Sequence, residues 1–285
     1  MIEELSDEVP VVFLCRYFGV SESGYYAWRI RALSASKKKK IKVVAMIKKI
    51  FSESKNTYGS PRVWKELKSL GIKISKTTVC KYMKELNLDA RLKKRFRVMT
   101  TDSNHSGPIA GRIFKSEESL PSGPYEVLAG DITYLRVGSR FIYLAVVMDL
   151  YNREIVGWSM SQSLNSEIVV QALKMALLKC NSKTKIVFHS DRGSQYASRV
   201  FLELLNSRKM VPSMSRKGNC YDNCYVESWF KSLKSEWIYR RKIETENEMR
   251  SIVFEYIELW YNRKRRHSSL DYLSPVEYKL THAVA

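Results

Sequence analysis

Apolar side chains in residues 1–95 recur at helical spacing, and no stretch alternates between polar and apolar as a half-buried strand would. Val11 to Phe18 predicts one helix, Gly19-Val20 a turn, and Ser21 the cap of a second helix through Tyr25, Tyr26 and Trp28. Further on, Val63, Trp64, Leu67 and Leu70 mark a helix that Gly71 stops. Ser75 then caps a helix with Val79, Tyr82, Met83 and Leu86 on one face. Each pair is a helix-turn-helix pattern. The lysine run Lys37 to Lys40 falls between them and reads as a charged connector. Residues 96–120, around Asp102-Ser103-Asn104-His105-Ser106-Gly107-Pro108, are polar and broken and predict a linker.

The texture changes over residues 121–285, where strands and helices alternate. Ile132 to Val137 predicts a first strand, Gly138-Ser139 a turn, and the nearly all-apolar Phe141 to Leu150 a central strand buried on both faces. Ile155 to Met160 predicts a third strand, Ser166 to Leu178 a helix, and Lys185 to His189 a fourth, buried strand. Arg199 to Ser207 reads as a helix, Val211 to Met214 as a short strand, and Tyr221 to Tyr239 as a long helix. Residues 245–262 add another helix, and a basic tail ends the chain. Three antiparallel strands, a helix, a further strand and more helices is the element order of an RNase H-like core. The expected architecture is therefore α/β: a mixed five-stranded sheet with flanking helices, preceded by an all-α region.

Charge narrows the partners. Lys and Arg outnumber Asp and Glu by 49 to 29, a net +20. Residues 1–120 hold 25 basic and 12 acidic side chains, and the remainder 24 and 17. Such an excess suits a polyanion, since each neutralised phosphate releases condensed counterions, although solubility alone would also use it. Lys76, Lys81 and Lys84 fall away from the apolar stripe of their helix, where they could meet phosphates or base edges, and Arg62 is a further candidate. The Lys37–Lys40 run could reach the same backbone. No apolar run approaches about eighteen residues, so no membrane span is expected. The acidic start Met1-Ile2-Glu3-Glu4-Leu5 is unlike a secretory signal, and a cytoplasmic, nucleoid-associated location is expected. Five scattered cysteines read as reduced thiols; Cys220 and Cys224 lack the further ligands a zinc site needs.

Divalent-metal phosphoryl transfer needs two or three carboxylates converging from strand ends and a flanking helix. Asp131 enters the first strand, Asp191 closes the fourth, and Glu227 lies in the long helix, 35 residues separating the last two. One Asp at a strand end is most often a turn cap, as Asp149 is read before Tyr151-Asn152; three acids at these places in this strand order are harder to dismiss. Asn223, Glu227, Lys231 and Lys234 share a helix face, and the two lysines would grip DNA phosphates beside a metal site or, on a plain surface, form an ion-pair ladder. His189, two residues before Asp191, points to its side of the strand; it could orient a water or a DNA oxygen, or brace Asp191.

At these residues the chain resembles the transposases of bacterial insertion sequences of the IS-three family, in the retroviral-integrase-like DDE superfamily. The resemblance covers nearly the whole chain. It runs through Leu14-Cys15-Arg16, Gly19-Val20-Ser21, Ser23 to Trp28, and Tyr58-Gly59-Ser60-Pro61-Arg62. In the core it takes in Asp131-Ile132-Thr133-Tyr134, His189 to Tyr196, Asn219 to Asn223, and Glu227-Ser228. Tyr261-Asn262, Arg266-His267 and Leu273-Ser274-Pro275 complete it; Leu128 and Cys224 stand where the family often has Trp and Ala. The resemblance implies an integrase catalytic core with Asp131, Asp191 and Glu227 as the acidic triad and Lys234 as the basic residue seven positions on. It also implies two Mg2+ ions with Mn2+ as a substitute, cleavage of element ends, and strand transfer by 3′-hydroxyl attack. The implied partners are double-stranded DNA, further copies of the chain assembled on it, and an upstream-frame product or fusion. The alternative is a catalytically inactive DNA-binding repressor of transposition, whose sign would be a broken triad. RNase H-type hydrolysis shares the fold but explains neither the helix-turn-helix half nor the 35-residue spacing.

Overall fold

Capping residues and glycines set the boundaries of the first helices in the computed structural model, which describes residues 2–90, 108–114, 120–180, 185–216 and 223–282. The chain divides into two units, Met1–Arg91 and Leu92–Ala285. The first is all helix: α1 (Ile2–Leu5), α2 (Val11–Tyr17), α3 (Glu22–Ile30), α4 (Ala35–Glu53), α5 (Ser60–Ser69) and α6 (Lys76–Glu85). The Ser21 hydroxyl accepts from the Gly24 amide to open α3, and Ser75 accepts from Thr78 to open α6. Gly71, at φ 76°, ends α5 in the left-handed conformation that side chains resist. Trp64 Nε1 donates to the Ile74 carbonyl at 2.9 Å and pins the turn between α5 and α6. Both helices pack on α4 through Val43, Ile47, Val63, Leu67, Val79 and Met83, all buried.

Two expectations for this unit are corrected. Lys37–Lys40 is no connector: it lies in the first turns of the nineteen-residue α4, where Ser34 caps the Lys37 amide. Lys40 meets Glu85 at 2.9 Å, an exposed pair that contributes little in water. Leu70 leaves the apolar stripe, because as the C-cap residue just after α5 it turns out to solvent.

In the second unit five strands, β1 (Val127–Val137), β2 (Arg140–Asp149), β3 (Ile155–Ser161), β4 (Val187–Ser190) and β5 (Val211–Met214), form one sheet in the order β3-β2-β1-β4-β5. The first three run antiparallel, and β4 and β5 add in parallel. Interleaved are α7 (Ser166–Lys179), α8 (Arg199–Ser207), α9 (Cys224–Glu236), α10 (Glu246–Phe254) and α11 (Pro275–His282). β2 is buried from Leu144 to its end because helices cover it. α7 lies so close to β3 that a methyl at Gly157 would drive into the Ala172 carbonyl oxygen and the Ala176 nitrogen. α9 lies against β1, and its Trp229, with Trp237 just after it, packs on Tyr256 and Tyr261 at 5.2–6.0 Å between ring centres.

The end of the chain is a clasp where a basic tail is expected. After α10 a π-helical stretch, Glu255–Tyr261, turns Asn262 toward the outer strand. Asn262 Oδ1 accepts from the Ile155 amide and Nδ2 donates to the Ile155 carbonyl, both at 2.9 Å, pairing β3 as a neighbouring strand would. Arg265 is 5% exposed and forks onto Glu236 at the end of α9, Nη2 to Oε1 at 2.7 Å and Nε to Oε2 at 2.9 Å. The Tyr256 hydroxyl donates to the same carboxylate. Most of the expected linker, and Asn219 to Asp222 with Cys220, lie outside the described residues. Residues 108–114 pack as structure: the Ile113 and Phe114 amides donate to Ser213 Oγ, and Phe114 is buried against His189. Asp149 is the turn residue expected, accepting from the Tyr151 amide, and it also holds the Tyr125 amide.

Arg265→Met should cost about 3–5 kcal/mol in urea unfolding, since it strands a buried carboxylate. Adding Glu236→Leu should return part of that loss. Burial raises the Asp149 carboxyl from its ordinary 3.8 to about 6. A carboxyl raised on folding adds stability below its unfolded pKa and loses it as pH climbs through the folded value. Between pH 4 and pH 7 the protein should therefore lose about 3 kcal/mol from this group, and Asp149→Asn should flatten that part of the pH–stability curve.

Candidate active site

Asp131 stands in the middle of β1, four residues after the strand begins, and not at its entrance as the sequence suggests. The parallel pairing of β1 with β4 joins Val127 to Val187, Leu128 to Phe188 and Ala129 to His189, a constant offset of 60. The ladder ends there, and Asp191, the residue after β4, lies close enough for its carboxylate to act on Asp131. Two side chains hold this pairing close. A methyl on Gly130 would fall 2.6 Å from Phe188 Cζ and 3.2 Å from Tyr196 Cε1, so only glycine lets those rings pack beside Asp131. Asp191 is fixed by the turn it starts, its Oδ1 accepting from the Gly193 amide at 2.9 Å. Arg192 Nε donates across to the Ser215 carbonyl at 2.8 Å.

Glu227 comes from the first turns of α9. Asn223, the residue before that helix, is buried, and its Nδ2 donates to the Gly130 carbonyl at 3.3 Å, tying the helix start to the strand that carries Asp131. The Asn223 Oδ1 is buried too and has no hydrogen-bond partner.

The electrostatics join the three acids. Burial first, then the Asp191 carboxylate, push Asp131 well above the usual carboxylate range, with Glu227 adding to it. Glu227 is raised by burial and by Asp191, against Lys231, which favours its charge. Tyr196, fully buried below, is pushed far up by burial and then by Asp131 and Asp191. Lys234 reaches back from α9 to donate to Thr133 Oγ1 at 2.6 Å, with its Nζ 4.6 Å from the centre of the Tyr134 ring. Burial lowers it to about 8, although Asp131 pulls the other way. Lys231 is exposed. Among the described residues no three His, Cys, Asp or Glu side chains stand close enough to form a ready-made metal cage. The three carboxyls offer oxygen donors, the chemistry a hard divalent cation suits.

His189 belongs elsewhere. It is buried at 1% exposure, with Nδ1 3.0 Å from Ser213 Oγ and Nε2 3.1 Å from Ser215 Oγ, so it ties β4 to the β5 segment. In the first unit Lys76, Lys81 and Lys84 are exposed on α6, away from buried Val79 and Met83, and Arg62 stacks over Tyr58 at 5.5 Å. Sequence reasoning assigned nothing to Gly130, Tyr196 or Thr133; a glycine directly before the strand aspartate was the one available signal.

A strand order β3-β2-β1-β4-β5 with acids on β1, after β4 and on a following helix defines an integrase-type catalytic core. Family comparison agrees: integrase core domain models match residues 121–220 and 227–282, and an HTH-like domain model matches residues 37–96. Transposase InsF of insertion sequence IS3A from Escherichia coli (strain K12) is 36% identical over 280 residues, 98% of this chain and 96% of that one. An uncharacterised 31 kDa protein of insertion element IS600 from Shigella sonnei is also 36% identical, over 93% of this chain and 97% of that one. Among solved structures, the HTLV-2 integrase catalytic core domain in complex with magnesium aligns at TM-score 0.44 and 14% identity, covering 55% of this chain and 98% of that one. The catalytic domain of Mos1 mariner transposase aligns at TM-score 0.39 and 10% identity, over 48% and 71%. The chain belongs to the IS3 family of insertion-sequence transposases. Among the described residues no helix is long and apolar enough to cross a membrane.

Asp131 is the anion that raises Lys234, so Asp131→Asn should move the Lys234 titration, followed by NMR at its side chain, from about 8 to lower pH. An unchanged midpoint would mean that the two groups do not share a field.

Proposed function

We propose that this transposase cleaves the DNA ends of its element and joins them to a new phosphodiester by in-line 3′-hydroxyl attack, using Asp131, Asp191 and Glu227. The observation that supports the reading is the shared field of three carboxyls, Asp191 and Glu227 both acting on Asp131 beside the paired strands β1 and β4. Asp131, Asp191 and Glu227 would hold two Mg2+ ions, or Mn2+ in their place, which when bound activate the attacking oxygen and stabilise the leaving 3′-oxygen. The protein's own part is placement. Thr133 and Tyr134 hold the Lys234 ammonium beside Asp131, where it attracts the phosphate flanking the scissile bond. Lys231, exposed one turn after Glu227, takes the next phosphate. Asn223 keeps the start of α9 fixed on β1. No side chain forms a covalent bond to DNA.

In this scheme residues 1–95 bind the terminal repeats of double-stranded DNA, through Lys76, Lys81, Lys84 and Arg62. Residues 96–120 connect, and residues 121–285 carry catalysis. Two ends brought together require more than one copy on the DNA, with an upstream-frame product or fusion as a further partner.

The test is strand transfer by purified protein on its element's terminal repeats with Mg2+. Glu227→Gln and Asp131→Asn should each reduce joined product by about a hundredfold or more while end binding persists. Equal joining by Glu227→Gln would remove Glu227 from the site. Ends bound but never joined by the unaltered chain, even with the upstream frame fused, would favour a repressor.

A further inference from the structure

Beyond the three acids, β1 carries on to a surface that the joining reaction described above uses only through Tyr134. The register pairs Arg136 with Phe141 and Tyr134 with Tyr143, so Tyr134, Arg136 and Phe141 share one face of the β1–β2 hairpin. Phe141 is 51% exposed and meets Tyr134 edge-on at 5.3 Å. Tyr239, in the short 3-10 turn Ile238–Arg240 after α9, is 48% exposed, and its hydroxyl is raised by burial and by the neighbouring Tyr134. The Gly138 amide donates to the Ile243 carbonyl at 2.9 Å and holds the hairpin tip to the segment after Tyr239.

Single exposed aromatics are ordinary. Here Phe141 meets Tyr134 edge-on, the Gly138–Ile243 bond holds the segment after Tyr239 to the same hairpin, and these elements carry several cations. Lys234 lies over Tyr134 at 4.6 Å, Arg136, Arg140 and Arg241 are exposed, and the tip carboxylate Glu244 is paired with Lys242 at 2.7 Å. A stacked duplex hides the faces of its bases and offers the rings little. Single-stranded nucleic acid presents both what the rings and what the cations take: bare base faces and phosphates.

Resting on the DNA-joining reading above, we infer that Tyr134, Phe141 and Tyr239 form a stacking platform for unpaired nucleotides of the DNA strand beside the scissile phosphate. Tyr134 is three residues from Asp131 along β1, about 10 Å, and leaves the opposite face of the strand, so Lys234, bonded to Thr133 and lying over the Tyr134 ring, is what links the two places. That distance is the length of about three stacked nucleotides at 3.4 Å each. Lys234 serves both places, next to Asp131 on one side and over the Tyr134 ring on the other.

Binding of the full chain to two fluorescent probes in EDTA tests this: a twenty-nucleotide oligo-thymidylate and a blunt duplex of the same length. Phe141→Ala and Tyr239→Ala should each weaken oligo-thymidylate binding about tenfold. Both should leave the duplex within about twofold, with thermal midpoints unchanged. Phe141→Trp should restore single-strand binding. Equal weakening of both probes, or of neither, would overturn the platform. Without metal or chemistry in the measurement, failure of the acidic triad cannot produce these results, and loss of the platform leaves the Glu227→Gln experiment to judge the triad.

Discussion

Like charges held within one another's field are the constraint around which the catalytic unit is built. Asp131 and Asp191 repel across adjacent strands, and Glu227 adds a third anion from a helix. Left to themselves such groups move apart or take up protons. They stay together because each stands on something that cannot easily shift. Asp131 is set mid-strand in the middle of a five-stranded sheet. Asp191 is locked by its own turn to Gly193, and the notch at Gly130 lets Phe188 and Tyr196 close the gap beneath the two acids. The low dielectric created by that packing strengthens the repulsion it has to withstand.

The helix that carries Glu227 needs holding at both ends, and the last forty residues supply much of it. At its start Asn223 grips the Gly130 carbonyl; at its finish Glu236 is taken by the Arg265 fork and the Tyr256 hydroxyl. The same C-terminal segment closes the open edge of β3 through Asn262, and Lys279 of α11 reaches Glu154 at the β2–β3 turn. Edge strand and catalytic helix are therefore fixed by one stretch of chain. The π-helical turn has a role in this: changing the helical repeat lets Tyr256 and Tyr261 face α9 while Asn262 faces β3.

Much of this was legible in the sequence, for physical reasons. Alternating and continuous apolar runs mark β2, β3 and β5, and Arg199 to Ser207 reads as the helix that α8 is. The acids could be picked out because strand order restricts where carboxylates meet. What escaped reading depended on partners distant in the chain. β1 begins at Val127, five residues before the expected start, because Gly130 and Asp131 look like a strand break until Phe188 is packed against the glycine. The Lys37–Lys40 run is helical because Val43, Ile47 and Ile50 further along α4 find cores to enter. Arg265 and Lys264 read as a solvated tail until Glu236, 29 residues earlier, proves to be buried beneath the guanidinium. His189 alternates with Asp191 correctly, yet two serines of the β5 segment occupy its ring nitrogens.

The charges at the site also show why the protein alone does not complete it. Lys234 and Asp131 feel each other, yet burial wins over attraction in both: the carboxyl is held above its usual range and the ammonium below. A pair that neutralised itself would move the opposite way. Instead the lysine donates to a threonine hydroxyl and the Asp131 carboxyl stays above its usual range. On the reading proposed here, that imbalance is what the ligand corrects. A phosphate answers the lysine and a divalent cation answers the carboxylates, and each makes the other easier to bind. Filling the site with an internal salt bridge would make the resting protein more stable and leave it with nothing to offer DNA.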